Sequence, residues 1–175
     1  FMCAALSEKK DPTEELAFAT QLLEAVVSYA KKKGILVSLH VCRGNWSRNE
    51  SILLKGPYTP LVPLFETVLP HILTLEFSTP RAGEISSLLS STKLREHCIL
   101  GLGVMNPRTD EIESLESIVD RVKEVLQFLP KDRVWINPDC GFATFANRPV
   151  NSLDIIDKKL ARLKEAKDLL RATYE

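Results

Sequence analysis

The stretch CILGLGV, residues 98–104, and the amphipathic segment that follows it decide the fold class of this chain. The stretch is short, apolar and bounded by polar residues, which predicts a buried β-strand. After it, six apolar residues recur at helical spacing and predict one helix face: Ile112, Leu115, Val119, Val122, Leu126 and Leu129. Pro130 ends this helix, because proline cannot continue one. A strand followed by an amphipathic helix is the unit from which parallel α/β folds are built.

The same unit occurs on both sides of this stretch. The predicted strands are residues 35–41, 71–76, 98–104 and 134–137, and the first of them is expected to be buried. The predicted helices are residues 11–34, 61–69, 84–89, 112–129 and 152–172. One helix followed by four β-α units predicts a parallel sheet with right-handed crossovers. Residues 1–175 are therefore expected to form a single partial domain, the C-terminal half of a (β/α)8 TIM barrel. The alternative is a small, open, doubly wound sheet.

Composition excludes several classes of partner. The 175 residues include 45 % hydrophobic and 26 % charged residues, a mix typical of globular domains. Lys plus Arg and Asp plus Glu balance at 23 each, so no electrostatic attraction to nucleic acid or to an anionic membrane is expected. No apolar run approaches the roughly 20 residues that span a bilayer. The N-terminus lacks the basic flank of a signal peptide and does not begin with Met.

The four cysteines are widely and irregularly spaced, at positions 3, 42, 98 and 140. A chain of this size does not need disulfides to fold, so thiols or metal ligands in a cytoplasmic protein are the expectation. Cys98 opens a predicted strand, at the end of the sheet that serves stability, together with His71 and His97. We interpret these three as structural and leave Cys3 unassigned.

Metal-binding side chains follow three of the four predicted strands. His40 and Cys42 lie two residues apart at the end of the first strand, so both point to the same face. Glu76 ends the second strand, and Cys140 follows the fourth. In parallel α/β folds the carboxyl ends of the strands carry the functional site. One imidazole, two thiols and a carboxylate predict a zinc site by ligand softness.

Each of these residues also has an ordinary structural interpretation. The two cysteines could be small buried residues, and His40 could be a hydrogen-bonded residue at a strand end. Glu76 could form a plain salt bridge with Arg81. The end of the third strand offers Asn106 and Arg108 but no obvious metal ligand.

Four segments carry a resemblance to a known family. They are residues 39–45 (LHVCRGN), 75–83 (LEFSTPRAG), 100–104 (LGLGV) and 137–142 (NPDCGF). In this order they resemble the cobalamin-independent methionine synthases, and more closely the shorter single-barrel relatives than the two-barrel enzymes. The likeness runs from about Asp11 to the C-terminus.

The resemblance implies a (β/α)8 barrel that transfers a methyl group from a methylated folate to the thiol of homocysteine, giving methionine. It also implies zinc held by His40, Cys42, Glu76 and Cys140, the four residues chosen from their positions. Zinc would keep the substrate thiol deprotonated. Glu76 is the candidate for the labile ligand, because a carboxylate is a harder ligand than a thiolate.

Two departures from the family pattern affect the functional prediction. The family barrel is about twice this length, so the half that would bind the amino-acid end of homocysteine and much of the folate is expected to lie outside this chain, or in a second chain. The two-barrel enzymes have a His after the third strand, where residues 106–110 read NPRTD.

Three polar loop residues, Asn45, Arg81 and Arg108, are candidates for substrate contact, although hydrogen bonding between loops is the simpler expectation. Two other functions stay open. One is a truncated, non-catalytic protein that binds zinc or pairs with another chain. The other is a methyltransferase that acts on a different thiol or uses a non-folate donor.

Overall fold

The computed structural model describes residues 11–174, so Cys3 lies outside the described residues. Six helices and six strands follow one another along this part of the chain. In chain order they are α1 (Thr13–Lys32), β1 (Ser38–Val41), α2 (Val62–Val68), β2 (Ile72–Glu76), α3 (Ile85–Leu88), α4 (Thr92–His97), β3 (Ile99–Met105), α5 (Leu115–Leu126), β4 (Val134–Pro138), β5 (Ala143–Phe145), β6 (Arg148–Pro149) and α6 (Leu153–Tyr174).

The four longer strands form one parallel sheet with the order β1-β2-β3-β4. Strands that neighbour each other in space therefore follow each other in sequence. A doubly wound sheet reverses its strand order at a switch point, whereas a (β/α)8 barrel keeps sequential order all the way round. The sheet is thus half of a (β/α)8 barrel, as predicted, and the doubly wound alternative is excluded.

A single apolar core lies between this sheet and its helices. Leu73, Leu75 and Leu102 of the central strands are at most 2 % exposed. Phe65 from α2 and Ile118 from α5 are buried against them. The central strands are covered because helices connect each parallel strand to the next and pack on the sheet.

The first strand departs from its prediction. It begins at Ser38 rather than at residue 35, and it is not fully buried. Leu39 and Val41 pack against the core, whereas Ser38 and His40 are exposed. As an edge strand, β1 has a single neighbour, β2, and no element among the described residues covers its face with Ser38 and His40.

Three further local features differ from the sequence expectation. The helix predicted from residue 112 begins at Leu115, because the Ser114 side chain caps it by accepting a hydrogen bond from the Ser117 N–H at 3.0 Å. The short helix α4 and the β5–β6 hairpin were not predicted. Both are too short for apolar periodicity to reveal them.

The residues interpreted as structural lie at the amino ends of the strands. The Cys98 thiol is buried and donates a hydrogen bond to the Pro70 carbonyl at 3.2 Å. The Val37 N–H donates to Nδ1 of His71 at 3.0 Å, and Nδ1 of His97 contacts the Lys93 carbonyl. None of the helices among residues 11–174 has the length and apolar character to cross a membrane.

Candidate metal centre

Three of the four predicted metal ligands come together at the carboxyl ends of the strands. One donor atom each from His40, Cys42 and Cys140 lies within 4.8 Å of the others. His40 is in β1, Cys42 directly follows it, and Cys140 follows β4. The cluster therefore links the two edge strands of the half-barrel. His40 is exposed, Cys42 is half-buried and Cys140 is buried.

The imidazole of His40 is oriented by the neighbouring strand. Its Nδ1 lies 2.9 Å from the carbonyl oxygen of Thr74 in β2. A carbonyl can only accept, so Nδ1 carries a proton and donates it to Thr74, which leaves Nε2 facing the thiols. Metal-binding histidines commonly donate their second ring N–H to a carbonyl in this way.

Of the two thiols, Cys42 has the lower pKa and so ionises more readily. Hydrogen bonds from the Cys140 thiol and then from His40 lower the pKa of Cys42 against the opposing effect of burial. The same hydrogen bond to Cys42, followed by burial, raises the pKa of Cys140. Neither forms a disulfide, so both sulfurs are available as ligands. A thiolate beside a thiol and an imidazole is a donor set for a soft divalent cation.

Glu76 does not belong to this cluster of donor atoms. Its Oε1 accepts from the Arg43 N–H at 2.9 Å and from Arg43 Nη1 at 3.3 Å, and its Oε2 accepts from Arg81 Nη2 at 2.8 Å. Burial raises the pKa of Glu76, and Arg81 provides the largest opposing effect. The salt bridge with Arg81, considered from sequence as the structural alternative, is therefore present. Zinc ligation by Glu76 stays a prediction.

Cys140 is held in place by its neighbour Asp139, which is 1 % exposed. The Asp139 carboxylate accepts from the N–H groups of Phe77 and Ser78 at 3.0 Å and from the Ser78 hydroxyl. Arg108 Nη2 donates at 2.9 Å to Oδ2, which also accepts from the Ser78 hydroxyl, while the two N–H groups bind Oδ1. These bonds tie the loop after β4 to the end of β2, which fixes the position of the Cys140 thiol.

Glycine at position 103 makes room for this carboxylate. A Cβ atom there would lie 2.4 Å from Oδ1 of Asp139 and 2.6 Å from the Leu75 carbonyl oxygen. Both distances are too short for non-bonded atoms, so only glycine lets the loop after β4 approach the strands this closely.

The three candidates for substrate contact, Asn45, Arg81 and Arg108, all form hydrogen bonds or salt bridges with other residues of the chain. Asn45 donates from Nδ2 to the Gly141 carbonyl at 2.6 Å, which joins the loop after β1 to the loop after β4. Arg81 binds Glu76, and Arg108 binds Glu50 at 3.0 Å as well as Asp139. This is the hydrogen bonding between loops that sequence analysis favoured, and substrate contact by these residues stays a prediction.

Sequence analysis missed two residues that shape the site, Arg43 and Asp139. Each directly neighbours a predicted ligand, Cys42 and Cys140 respectively. Adjacency to a ligand was the available signal, because residues that orient the ligands of a metal site often come from the same loops.

The fold and the site together define a class: a (β/α) half-barrel with a cluster of two cysteines and a histidine, able to hold a metal, at the carboxyl ends of its strands. Residues 2–153 match the family model described as the cobalamin-independent synthase catalytic domain. The chain belongs to this family, as its motifs predicted.

Individual relatives agree with this assignment. A protein of Pyrococcus horikoshii named methionine synthase is 28 % identical over 153 residues, which are 87 % of this chain and 39 % of that protein. A Bacillus licheniformis 5-methyltetrahydropteroyltriglutamate–homocysteine methyltransferase is 26 % identical over 116 residues, 66 % of this chain and 15 % of that enzyme.

A solved structure shares the fold. The B12-independent methionine synthase from Shewanella sp. W3-18-1, in complex with selenomethionine, superposes with a TM-score of 0.62 at 19 % identity, covering 79 % of this chain and 39 % of that one. The chain thus spans about two fifths of the Pyrococcus and Shewanella proteins.

Proposed function

We propose that this chain carries the zinc site of an enzyme that transfers a methyl group from a methylated folate to the thiol of homocysteine. The observation that carries the proposal is the cluster of His40, Cys42 and Cys140 at the carboxyl ends of parallel strands. Two sulfurs and one imidazole fit zinc better than calcium or magnesium, which prefer oxygen ligands. The printed names of the Pyrococcus and Bacillus relatives support the reaction.

Methyl transfer to sulfur needs a thiolate. The sulfur–carbon bond forms as the carbon–nitrogen bond of the folate breaks, so the thiol proton must leave and the departing nitrogen must gain one. A free thiol with a pKa of about 8.5 is mostly protonated at neutral pH. Bound zinc would supply the missing stabilisation of the substrate thiolate. In this chain, His40 is oriented by Thr74 and Cys140 is fixed by Asp139, so two of the ligands are already positioned.

A second half-barrel is needed to complete the fold. Both β1 and β4 have an unpaired edge among the described residues, and such edges are rarely left open. The helix that precedes β1 in the chain, α1, exposes a stripe of large apolar side chains: Phe18, Leu22, Val26 and Tyr29. Beside β4, a groove of ≈ 500 Å³ is lined by Val122, Leu126, Trp135 and Leu170, among others.

We propose that four β-α units different from those of this chain cover both edges, whether they belong to the same polypeptide or to another. The relatives support this occupant, since this chain matches only about two fifths of the Pyrococcus protein. Light scattering on this chain tests the proposal: a monomer that gains a stable partner when mixed with the other half of the barrel is expected. A tight dimer of the chain alone would contradict it.

Zinc content tests the metal site. We expect one zinc per chain in the parent protein and its loss in Cys140→Ser. The matched control is Cys98→Ser, because Cys98 is also buried but lies at the opposite end of the sheet, where it donates to Pro70. Well-folded parent protein without zinc, or loss of zinc in both variants, would refute the proposed site.

Turnover distinguishes the reaction from the alternatives. With the barrel complete, we expect methionine to form from homocysteine and methylated folate, and Cys140→Ser to abolish it. Turnover only with another thiol or a non-folate donor would support the related methyltransferase. Zinc binding without any turnover would support the non-catalytic protein.

A further inference from the structure

The hydroxyl group of Tyr58 connects the carboxyl ends of β1 and β2. It donates a hydrogen bond to the Val41 carbonyl at 2.8 Å and accepts one from the Glu76 N–H at 3.0 Å. Val41 is the last residue of β1, and Glu76 is the last residue of β2. One side chain from the loop after β1 therefore joins the two strands at the edge of the sheet where the candidate metal ligands lie.

The two backbone groups that Tyr58 binds stand at the last position of the ladder between β1 and β2. At the amino end of this ladder the Ile72 N–H donates to the Val37 carbonyl at 3.1 Å, and the register then continues unbroken to Val41. Because the pattern of a strand repeats every two residues, the last position of this series falls on the Val41 carbonyl and the Glu76 N–H. The hydroxyl thus binds both groups at the point where the pairing of the strands stops.

The ring of Tyr58 holds the chain on the other side of Cys42. Arg43 follows Cys42, and its guanidinium lies over the Tyr58 ring, 3.8 Å from the centroid. A guanidinium this close to an aromatic face is attracted by the ring electrons. Because Val41 precedes Cys42 and Arg43 follows it, one side chain contacts both neighbours of this thiol.

Tyr58 is itself held firmly in the core. It is 1 % exposed, and its ring centroid lies 5.3 Å from that of Phe77 and 6.3 Å from that of Phe65. Aromatic rings at these separations attract each other, so the Tyr58 ring has little freedom to move. A side chain fixed in this way imposes its own position on the strand ends that it binds.

We propose that Tyr58 is a positioning residue of the metal site: it fixes the carboxyl end of β1 against that of β2 and thereby sets the place of the Cys42 thiol. This inference rests on the zinc site of the proposed function. Residues that orient metal ligands typically contribute about 10–100-fold to metal affinity. The contribution of Tyr58 should therefore appear in the affinity and geometry of the metal site, and not only in the stability of the fold.

Titration with cobalt(II) tests this assignment without any assay of activity, because the visible absorption of bound cobalt depends on the geometry of its ligands. The metal-free parent, Tyr58→Phe and Phe65→Leu are compared. Y58F keeps the ring over which Arg43 lies but loses the hydroxyl, so it should bind cobalt about tenfold more weakly and shift the absorption bands.

F65L is the matched control. Phe65 is also fully buried and packs against Tyr58, but it lies in α2, away from the strand ends. This substitution should lower the midpoint of urea unfolding, because it removes buried apolar atoms, yet change cobalt affinity by less than about threefold. Equal weakening of cobalt binding in Y58F and F65L would trace the effect to general stability and overturn the inference.

Y58F with the cobalt affinity and spectrum of the parent would overturn the inference as well. Failure of the parent itself to bind cobalt(II) would instead refute the zinc site of the proposed function. The two failures are therefore distinguishable in one set of titrations.

Amide hydrogen exchange of the metal-free parent gives a second readout that needs no variant to fold. Amides at the end of a strand usually exchange fast, because strand ends fray. Since the Tyr58 hydroxyl holds the Glu76 N–H, this amide should exchange within about tenfold of the rate of Leu102 in the middle of β3. Exchange of the Glu76 amide as fast as that of an exposed loop would contradict the proposed role of Tyr58.

Discussion

Arg108 is the buried cation on which the loops around the His40, Cys42 and Cys140 cluster depend, and its replacement by Met should be strongly destabilising. The side chain is 0 % exposed and donates to Asp139 at 2.9 Å and to Glu50 at 3.0 Å. Its Nη1 also lies 3.8 Å from Oε2 of Glu76. Methionine keeps much of the side-chain length but removes the charge.

The expected cost follows from what the substitution leaves behind. Asp139 would stay 1 % exposed with no cation beside it, although three hydrogen bonds from Phe77 and Ser78 would remain. Breaking a buried ion pair by removing one partner costs about 3–5 kcal/mol. Because Glu50 is 31 % exposed, water can solvate it and its share of the cost should be small.

Urea unfolding followed by far-ultraviolet circular dichroism measures this cost. With a slope of about 2 kcal/mol per molar, a loss of 3–5 kcal/mol lowers the midpoint by roughly 2 M. The matched control is Arg48→Met, whose partner Asp110 lies 2.8 Å away but where both side chains are about half exposed. An exposed pair of this kind contributes about 0–1 kcal/mol, so the control should barely change the midpoint.

The double variant R108M/D139N tests the physical cause. If the penalty comes from an unpaired buried carboxylate, neutralising Asp139 should recover about 2 kcal/mol of it. Equal midpoints for Arg108→Met and Arg48→Met would refute the argument from burial. If the destabilisation of R108M/D139N equals the sum of those of R108M and D139N, the loss of stability does not come from the Arg108–Asp139 pair.

Three further predictions follow from the same contacts. Gly103→Ala should destabilise the fold by about 1–3 kcal/mol in urea unfolding, because its Cβ would lie 2.4 Å from Asp139 Oδ1; a smaller effect would mean that the loop after β4 moves freely. Iodoacetamide at pH 7 should alkylate Cys42, whose pKa is lowered, much faster than Cys98, whose pKa burial raises to about 11; peptide mass spectrometry checks this order, and zinc should protect Cys42. Ser114→Ala should cost about 1 kcal/mol of stability by removing the cap of α5, and an unchanged urea midpoint would argue against that cap.

The ends of the strands show how much of the candidate site can be predicted from the sequence. Apolar strands that alternate with amphipathic helices predict a parallel sheet, and the carboxyl ends of parallel strands meet at one edge. Those two rules were enough to bring His40, Cys42 and Cys140 together, residues that are up to 100 positions apart in the chain. The same rules placed Cys98 and the other two histidines away from the site.

The position of a strand within the sheet is harder to predict from the sequence. The run at residues 35–41 predicted a buried strand, yet Ile35 and Leu36 are more than half exposed and β1 begins only at Ser38. Composition cannot show whether an apolar strand lies in the middle of a sheet or at its edge. That depends on how many neighbours the strand finds in the folded chain.

What the sequence determined by itself is therefore the order and type of the main elements and the grouping of His40, Cys42 and Cys140, because hydrophobic periodicity and strand direction are local properties. Only the tertiary structure decided the partners of Glu76. Its carboxylate could have faced the thiols, but the loops after β1 and β2 bring Arg43 and Arg81 to it. A buried carboxylate pairs with whichever cations the packed loops bring within reach, and no pattern along the chain records that distance.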